Sequence, residues 1–489
     1  MSGSLGRSQR ALALLVVLVL SSIVVGISIR IPIGSLLPEA FAHLGGDECT
    51  LLGGSVVGVE CQISSFVAKT STAHGGSFDI SETLRIKGNG RIDATNGGIT
   101  INVSGDLILE SPTVANGGQI EANDPSSPSG SSASPITLNV SGNMEMQAGT
   151  VIEARNTVGA GNGAKITITV TGNLLMAGAS GSTPGARIDS SASGSSSNKA
   201  GNLAFTVGGN MEMSSGTVIK AESAQNDNGG DITISVSGNL TLRGEVTGPP
   251  LVPGAVISSS VPGGTGGNAG SITVNVGNCT AKPPTGDLVA EPGAKVRANS
   301  NKGAGGAIVM NSCRHIRMDG LVESASVRSG TGAVQGPGGG TITLDAGCDL
   351  TISDDGKVSS RGQDPGADLV HVEGGCSVLI FGIVESTGNG HAVPNSPPNH
   401  CNGAYRPDKH PSSTTCVEVW AGDELIIDSD AGEGHNGEVS ADGGPGGRGW
   451  IDVFVRGDIT IDGDTTGPFA VHANRAGGTD QVGGTVTVK

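Results

Sequence analysis

The chain has 489 residues, of which 83 are glycine and only ten are aromatic: two Trp, one Tyr and seven Phe. Glycine is more than double its usual share of about 7%, and the scarcity of rings argues against an enzyme core built on aromatic burial. With 36% apolar and 15% charged residues the chain is not disordered, and a net charge of −17 without any Lys/Arg run argues against nucleic acid or an anionic membrane surface as partner.

Arg7 and Arg10 precede an almost wholly apolar run from Ala11 to Ile29, and Ala40-Phe41-Ala42 offers a small-residue cleavage site. This is the pattern of an export signal over residues 1–42. The same run is long enough to span a bilayer, so an uncleaved anchor is the alternative. In both cases the bulk of the chain is expected outside the cytoplasm, secreted or on a cell surface. All eight cysteines lie in that part, and an even count in an oxidising compartment points to disulfides. Residues 43–76 read as an N-terminal cap region, with Cys49 and Cys61 closing a small loop.

From residue 77 a repeat takes over. Five segments are nearly identical: ITINVSGDLIL from Ile99, ITLNVSGNMEM from Ile136, ITITVTGNLLM from Ile166, LAFTVGGNMEM from Leu203 and ITISVSGNLTL from Ile232. Looser copies start at Phe78, Ile272, Ile308, Ile342, Leu369, Val417 and Ile451. Each unit opens with an alternating strand of period two. A Gly-Asn or Gly-Asp corner follows, where left-handed backbone angles are cheap. A short second strand and a third piece of form GxxIxA complete the unit, as in Gly149 to Ala154 and Gly216 to Ala221. A Gly/Ser/Asn stretch then closes it.

Anchored on the corner, the copies advance by about 34 residues on average, with nearly all variation in the closing stretch. Fixed strands with variable loops mark a solenoid. Strands of one unit cannot pair with each other around such corners, so they must pair in parallel with neighbouring coils. The expected fold is an all-β, single-stranded parallel β-helix over residues 77–489, with about twelve coils and three strands per coil. Its length would be roughly 55–60 Å at about 4.8 Å per coil. Its lumen would be filled by Ile, Leu, Val and Met, with little room for rings.

The pattern resembles the parallel β-helix superfamily, particularly exported bacterial surface adhesins of the filamentous-haemagglutinin type. The resemblance covers roughly residues 76–489 and lies in pattern and composition. It implies a right-handed helix and a non-enzymatic adhesin or matrix component that binds glycans or surfaces. The NPNL or NPNG motif of two-partner secretion and a C-terminal autotransporter barrel are both missing from the sequence.

Cys279, Cys313, Cys348 and Cys376 fall within two residues of the same corner in four successive coils. A coil spacing of about 4.8 Å suits a disulfide. The expected pairs are Cys279–Cys313 and Cys348–Cys376; Cys313–Cys348 is the alternative. Cys401 and Cys416 lie in the longest loop, 388–416, together with His391, His400, Tyr405 and His410. A mixed His/Cys zinc site and a disulfide-closed loop are the two readings, and the oxidising compartment favours the disulfide.

Catalysis is poorly supported. Asp354-Asp355 is a lone acidic pair, His391 and His435 lack a flanking glycine pattern, and Arg85-Ile86-Lys87 lies far from both. These do not assemble the paired carboxylates of a polysaccharide hydrolase. A polysaccharide-degrading β-helix enzyme is therefore the second reading. No cofactor is expected, although Asp428-Ser429-Asp430 and Asp462-Gly463-Asp464 could each touch a divalent cation such as calcium.

A binding surface is easier to argue. The outward positions of the first strand carry Thr100, Asn102, Thr137, Asn139, Thr167 and Thr169 in the early coils. In the late coils Trp420 and Phe454 take one shared outward position, Glu418 and Asp452 the neighbouring one, and Trp450 the strand edge. Exposed rings flanked by carboxylates suit sugars. Alternatively, the rings cover one another or pack under the 388–416 loop. The chain closes on GGTVTVK at Lys489, which matches the opening of another copy; the two readings are stacking on a partner and a sequence cut from a longer protein. An open strand edge there would allow self-association end to end, giving a filament subunit as the third reading.

Overall fold

The segment Ile99–Val103 alternates apolar and polar residues. In the computed structural model its Ile99, Ile101 and Val103 are buried, while Thr100 and Asn102 are half-buried. The structure describes residues 45–488 except 69–75, 95–96, 112–116, 124–131, 158–160, 194–197, 225–226, 264–265, 327–337, 363–368, 389–413, 430–436, 444–447, 464–470 and 476–484. The export-signal region thus lies outside the described residues. No described helix is long and apolar enough to cross a membrane.

Each coil contributes one strand to each of three sheets, which contain 13, 14 and 13 strands. Sheet 1 holds the alternating strands such as Ile99–Val103 and Ile136–Val140, and sheet 2 the short ones such as Leu107–Leu109 and Met144–Met146. Sheet 3 holds the GxxIxA pieces such as Gln119–Glu121 and Val151–Glu153. Ile136 lies opposite Ile99 on one side and Ile166 on the other, and the whole strand keeps that register. The chain is an all-β parallel β-helix.

At the N-terminal end a helix, Gly45–Leu52, and an antiparallel strand, Ser55–Val57 on Glu60–Ile63, precede the coils. Parallel pairing starts earlier than residue 77. Glu60–Ile63 already lies on Thr83–Ile86, and Phe66–Ala68 on Arg91–Asp93.

The lumen is a continuous aliphatic ladder. Ile101, Leu138, Ile168, Ile234, Val274, Met310 and Leu344 are all fully buried. Among the described residues two rings enter this ladder, Phe78 opposite Ile101 at its start (8% exposed) and Phe205 in its middle. Phe205 takes the same inward position between Ile168 and Ile234 and is 2% exposed. The same coil carries buried Met211 and Met213, whose unbranched side chains adapt to an oversized neighbour.

Two corners are left-handed as expected, at Gly277 (φ 94°) before Asn278 and Gly286 (φ 100°) before Asp287; the regular Gly-Asn corners differ. Gly142, Gly172, Gly209 and Gly238 have no left-handed φ; a Cβ at these positions would sit 2.3–2.5 Å from the side-chain Oδ1 of the preceding coil's corner residue. That oxygen belongs to a ladder. Asp106 Oδ1 accepts from the backbone N–H of Asn143 (2.7 Å), Asn143 from Asn173 (2.9 Å), and Asn173 from Asn210 (2.8 Å). Asn210 then accepts from Asn239 (2.8 Å) and Asn239 from Asp287 (2.9 Å). Glycine is required by close approach. Left-handed backbone also occurs at the start of the GxxIxA pieces, at Gly149 (φ 79°) and Gly216 (φ 81°).

Where the asparagine ladder stops, covalent bonds begin. The structure pairs Cys279 with Cys313 and Cys348 with Cys376, at Cα separations of 4.9 and 4.5 Å, and Cys49 with Cys61. The Cys313–Cys348 alternative is thereby excluded. Cys416 is also disulfide-bonded, while His391, His400, Cys401, Tyr405 and His410 lie outside the described residues.

Candidate binding surface on the late coils

Four late strands of sheet 1 build this surface: Ile342–Ala346, Leu369–Gly374, Thr414–Ala421 and Arg448–Val455. Their alternation points Val370, Val372, Val417, Val419, Ile451 and Val453 into the lumen. The residues between them therefore face outward in two columns. Thr343, His371, Glu418 and Asp452 form one; Asp345, Glu373, Trp420 and Phe454 form the other. The outward columns predicted from the repeat are thus in register.

Their exposure differs from an open aromatic platform. Trp450 is 5% exposed, Glu418 7% and Asp452 1%, and Trp450 packs with Cys416 and Leu369. Trp420 and Phe454 are half-buried and cover one another, with ring centroids 4.6 Å apart and a 40° interplanar angle. This spacing is favourable for paired rings. Trp420 Nε1 is buried and finds no hydrogen-bond acceptor among the described residues.

His371 is the hub. Its Nδ1 lies 3.1 Å from Glu418 Oε2, its Nε2 3.2 Å from Glu373 Oε2, and its ring centroid 6.1 Å from that of Trp420. Burial opposes charge on the imidazole. The hydrogen bonds to Glu418 and Glu373 outweigh that cost and raise its pKa above the usual histidine value. The pair of columns therefore combines paired rings with an imidazole held between two carboxylates. Sequence reasoning missed His371, although it stands two residues before Glu373 in the copy that starts at Leu369.

The early coils carry a different outward surface. Thr100, Thr137 and Thr167 align, as do Asn102, Asn139 and Thr169. Asn102 donates to Asp79 (2.6 Å) and Asn139 to Asn102 (2.7 Å).

A charged column on sheet 3 was also unforeseen. Asp93, Glu121, Glu153 and Asp189 occupy one position in four successive coils, and Lys220 follows. All four carboxylates are buried, and each has a basic neighbour. Arg91 reaches Glu121 (2.6 Å) and Asp93 (3.1 Å), Arg187 reaches Glu153 (2.8 Å), and Arg155 reaches Asp189 (3.3 Å). Burial, then Glu153, pushes the Glu121 carboxyl up to about 7, with Arg91 pulling the other way. Aligning the residue before Ala in each GxxIxA piece would have exposed this column. Its acids are neutralised within the coil stack, and a structural ion-pair ladder describes it.

The remaining sequence candidates do not converge. Asp354 and Asp355 lie in an exposed turn, and Arg85 is held between Glu60 (2.9 Å) and Glu110. His435, Asp430 and Asp464 lie outside the described residues. Asp428 and Asp462 are brought side by side on adjacent strands of sheet 2, but among the described residues they belong to no group of three potential metal ligands.

No family model, curated protein or solved structure matches the chain.

Proposed function

We propose that this protein is an exported, non-enzymatic β-solenoid, a cell-surface adhesin or matrix component that binds glycans or surfaces. The supporting observation is the Trp420–Phe454 stack beside His371, itself held between Glu373 and Glu418. Sugar rings present apolar C–H faces and a fringe of hydroxyls. An aromatic pair meets the faces, and carboxylates and imidazole meet the hydroxyls. The burial of Glu418 and Asp452 limits the contact to the edge formed by Trp420, Phe454, His371 and Glu373. Export is supported by the leader pattern of residues 1–42 and by the disulfides.

The test is binding of the purified chain to a glycan array and to whole cells, beside Trp420→Ala and Phe454→Ala. Each variant is expected to lose about tenfold or more in affinity, the equivalent of about 1.4 kcal/mol, with its far-ultraviolet circular dichroism unchanged. Failure of the native chain to bind any glycan or cell surface sinks the proposal. Turnover of an acidic polysaccharide would replace it with the enzymatic reading.

A further inference from the structure

The corner ladder changes chemistry as it passes from the early to the late coils. Asn143, Asn173, Asn210 and Asn239 give way, at the aligned position, to Asp287, His315 and Asp349. One residue earlier in the corner, Cys348 lies opposite Cys376 and is bonded to it. Amides are poor metal ligands, whereas imidazole, carboxylate and thiolate are good ones. His315, Cys348 and Asp349 each offer a ligand atom, and the three atoms lie within 4.8 Å of one another. His315 Nδ1 is 3.1 Å from Asp349 Oδ2. All three residues and Cys376 are half-buried, at a surface corner that solvent can reach.

We propose that the Cys348–Cys376 disulfide masks a metal site. In the oxidised rod it staples two coils; in the reduced rod Cys348, Cys376, His315 and Asp349 bind one divalent cation of borderline softness, zinc above all. Two thiol equivalents deliver two electrons and two protons to the S–S bond and become a disulfide; a phosphine delivers the two electrons, and one water supplies both protons and the oxygen of the phosphine oxide, giving two protein thiols in either case. The cation then takes both sulfurs as thiolates, and their two protons leave to solvent. Ligand atoms about 2.0–2.3 Å from a tetrahedral zinc lie roughly 3.3–3.8 Å apart, against a present limit of 4.8 Å among His315, Cys348 and Asp349. Arg314 Nη2, 3.3 Å from His315 Nε2, gives up that contact when Nε2 carries the proton and Nδ1 meets the metal. Arg314 is exposed and keeps Asp287 as a partner, 3.7 Å from its Nη1.

Cobalt(II) reports the site because thiolate ligation gives an intense charge-transfer band. The full chain, reduced with a phosphine under argon, is expected to bind one equivalent of cobalt(II) with that band, and zinc is expected to displace it. The air-oxidised chain should show none. His315→Asn restores the amide of the early corners and should fold, yet lose the band, as should Cys348→Ser with Cys376→Ser. Cys279→Ser with Cys313→Ser should keep it. No band in a chain whose thiols are shown to be free overturns the proposal. So does a band that survives in His315→Asn, or one present before reduction.

Discussion

The early and late coils share one backbone plan and hold it by different means. Between Asp106 and Asp287 the coils carry five-residue strands in sheet 1 and three-residue strands in sheet 2, with tight corners between them. Side-chain oxygens hold those corners, because each Asn spans to the backbone N–H of the next coil. Buried serines do the same at the other end of the unit. Ser190, Ser259 and Ser324 donate to the carbonyls of Gly201, Gly230 and Gly306 at 2.6–2.7 Å. Between Leu369 and Val455 the sheet 1 strands run to six and eight residues. More backbone pairing then carries the load, a disulfide replaces the amide, and the outward face is released for charged and aromatic residues. Regular corners and chemical variety on the surface are thus traded along one rod.

This contrast can be broken at the corner first. Gly172→Val places a Cβ about where Asn143 Oδ1 and the Gly142 carbonyl stand, 2.5 and 2.7 Å away. Overpacking against backbone should cost about 3 kcal/mol or more, read as a lower urea midpoint. An unmoved midpoint would mean that the amide column does not set the coil spacing.

A smaller effect separates the two kinds of ladder. Asn173→Ala removes the acceptor for the Asn210 N–H and should cost about 1 kcal/mol. Hydrogen exchange should quicken at Asn210 and stay unchanged at Asp423, whose N–H donates to the Cys376 carbonyl. Equal changes at both amides would show the rod to open as one unit.

The smallest effect is confined to the late coils and to pH. His371 has a folded pKa raised above 6.5, so its stabilising contribution is complete below about pH 6.5. That contribution is lost as pH rises through the higher folded value. His371→Gln should flatten this slope in the exchange rates of the late strands and leave the early ones as they are. A slope that persists in the variant would assign it to another group.

Much of the architecture was legible because a period-two strand and a fixed corner recur often enough to align by eye. The alignment also put Trp420 over Phe454 and Glu418 over Asp452, which the register reproduces. What it left open was depth. A period-two pattern assigns a side chain to the outer face, but the burial of Asp452 and Trp450 depends on what else lies over that face. His371 was overlooked because its partners, Glu373 and Glu418, sit on different strands. The close approach at the regular corners was overlooked for a similar reason: the atom that forbids a side chain at Gly172 belongs to Asn143, a full coil away.

The unbroken register of the early coils makes length a quantised property. Residues 144–173 form one complete turn, beginning and ending at equivalent corner positions, so their excision would join Asn143 to Leu174. The chain already contains that same junction at Asn173–Leu174. Every strand beyond would keep its inward and outward faces and meet a neighbour of its own kind. Reach can therefore be shortened or extended in increments of about 4.8 Å while the chemistry carried on the late coils travels unchanged, like a fitting on an adjustable pole.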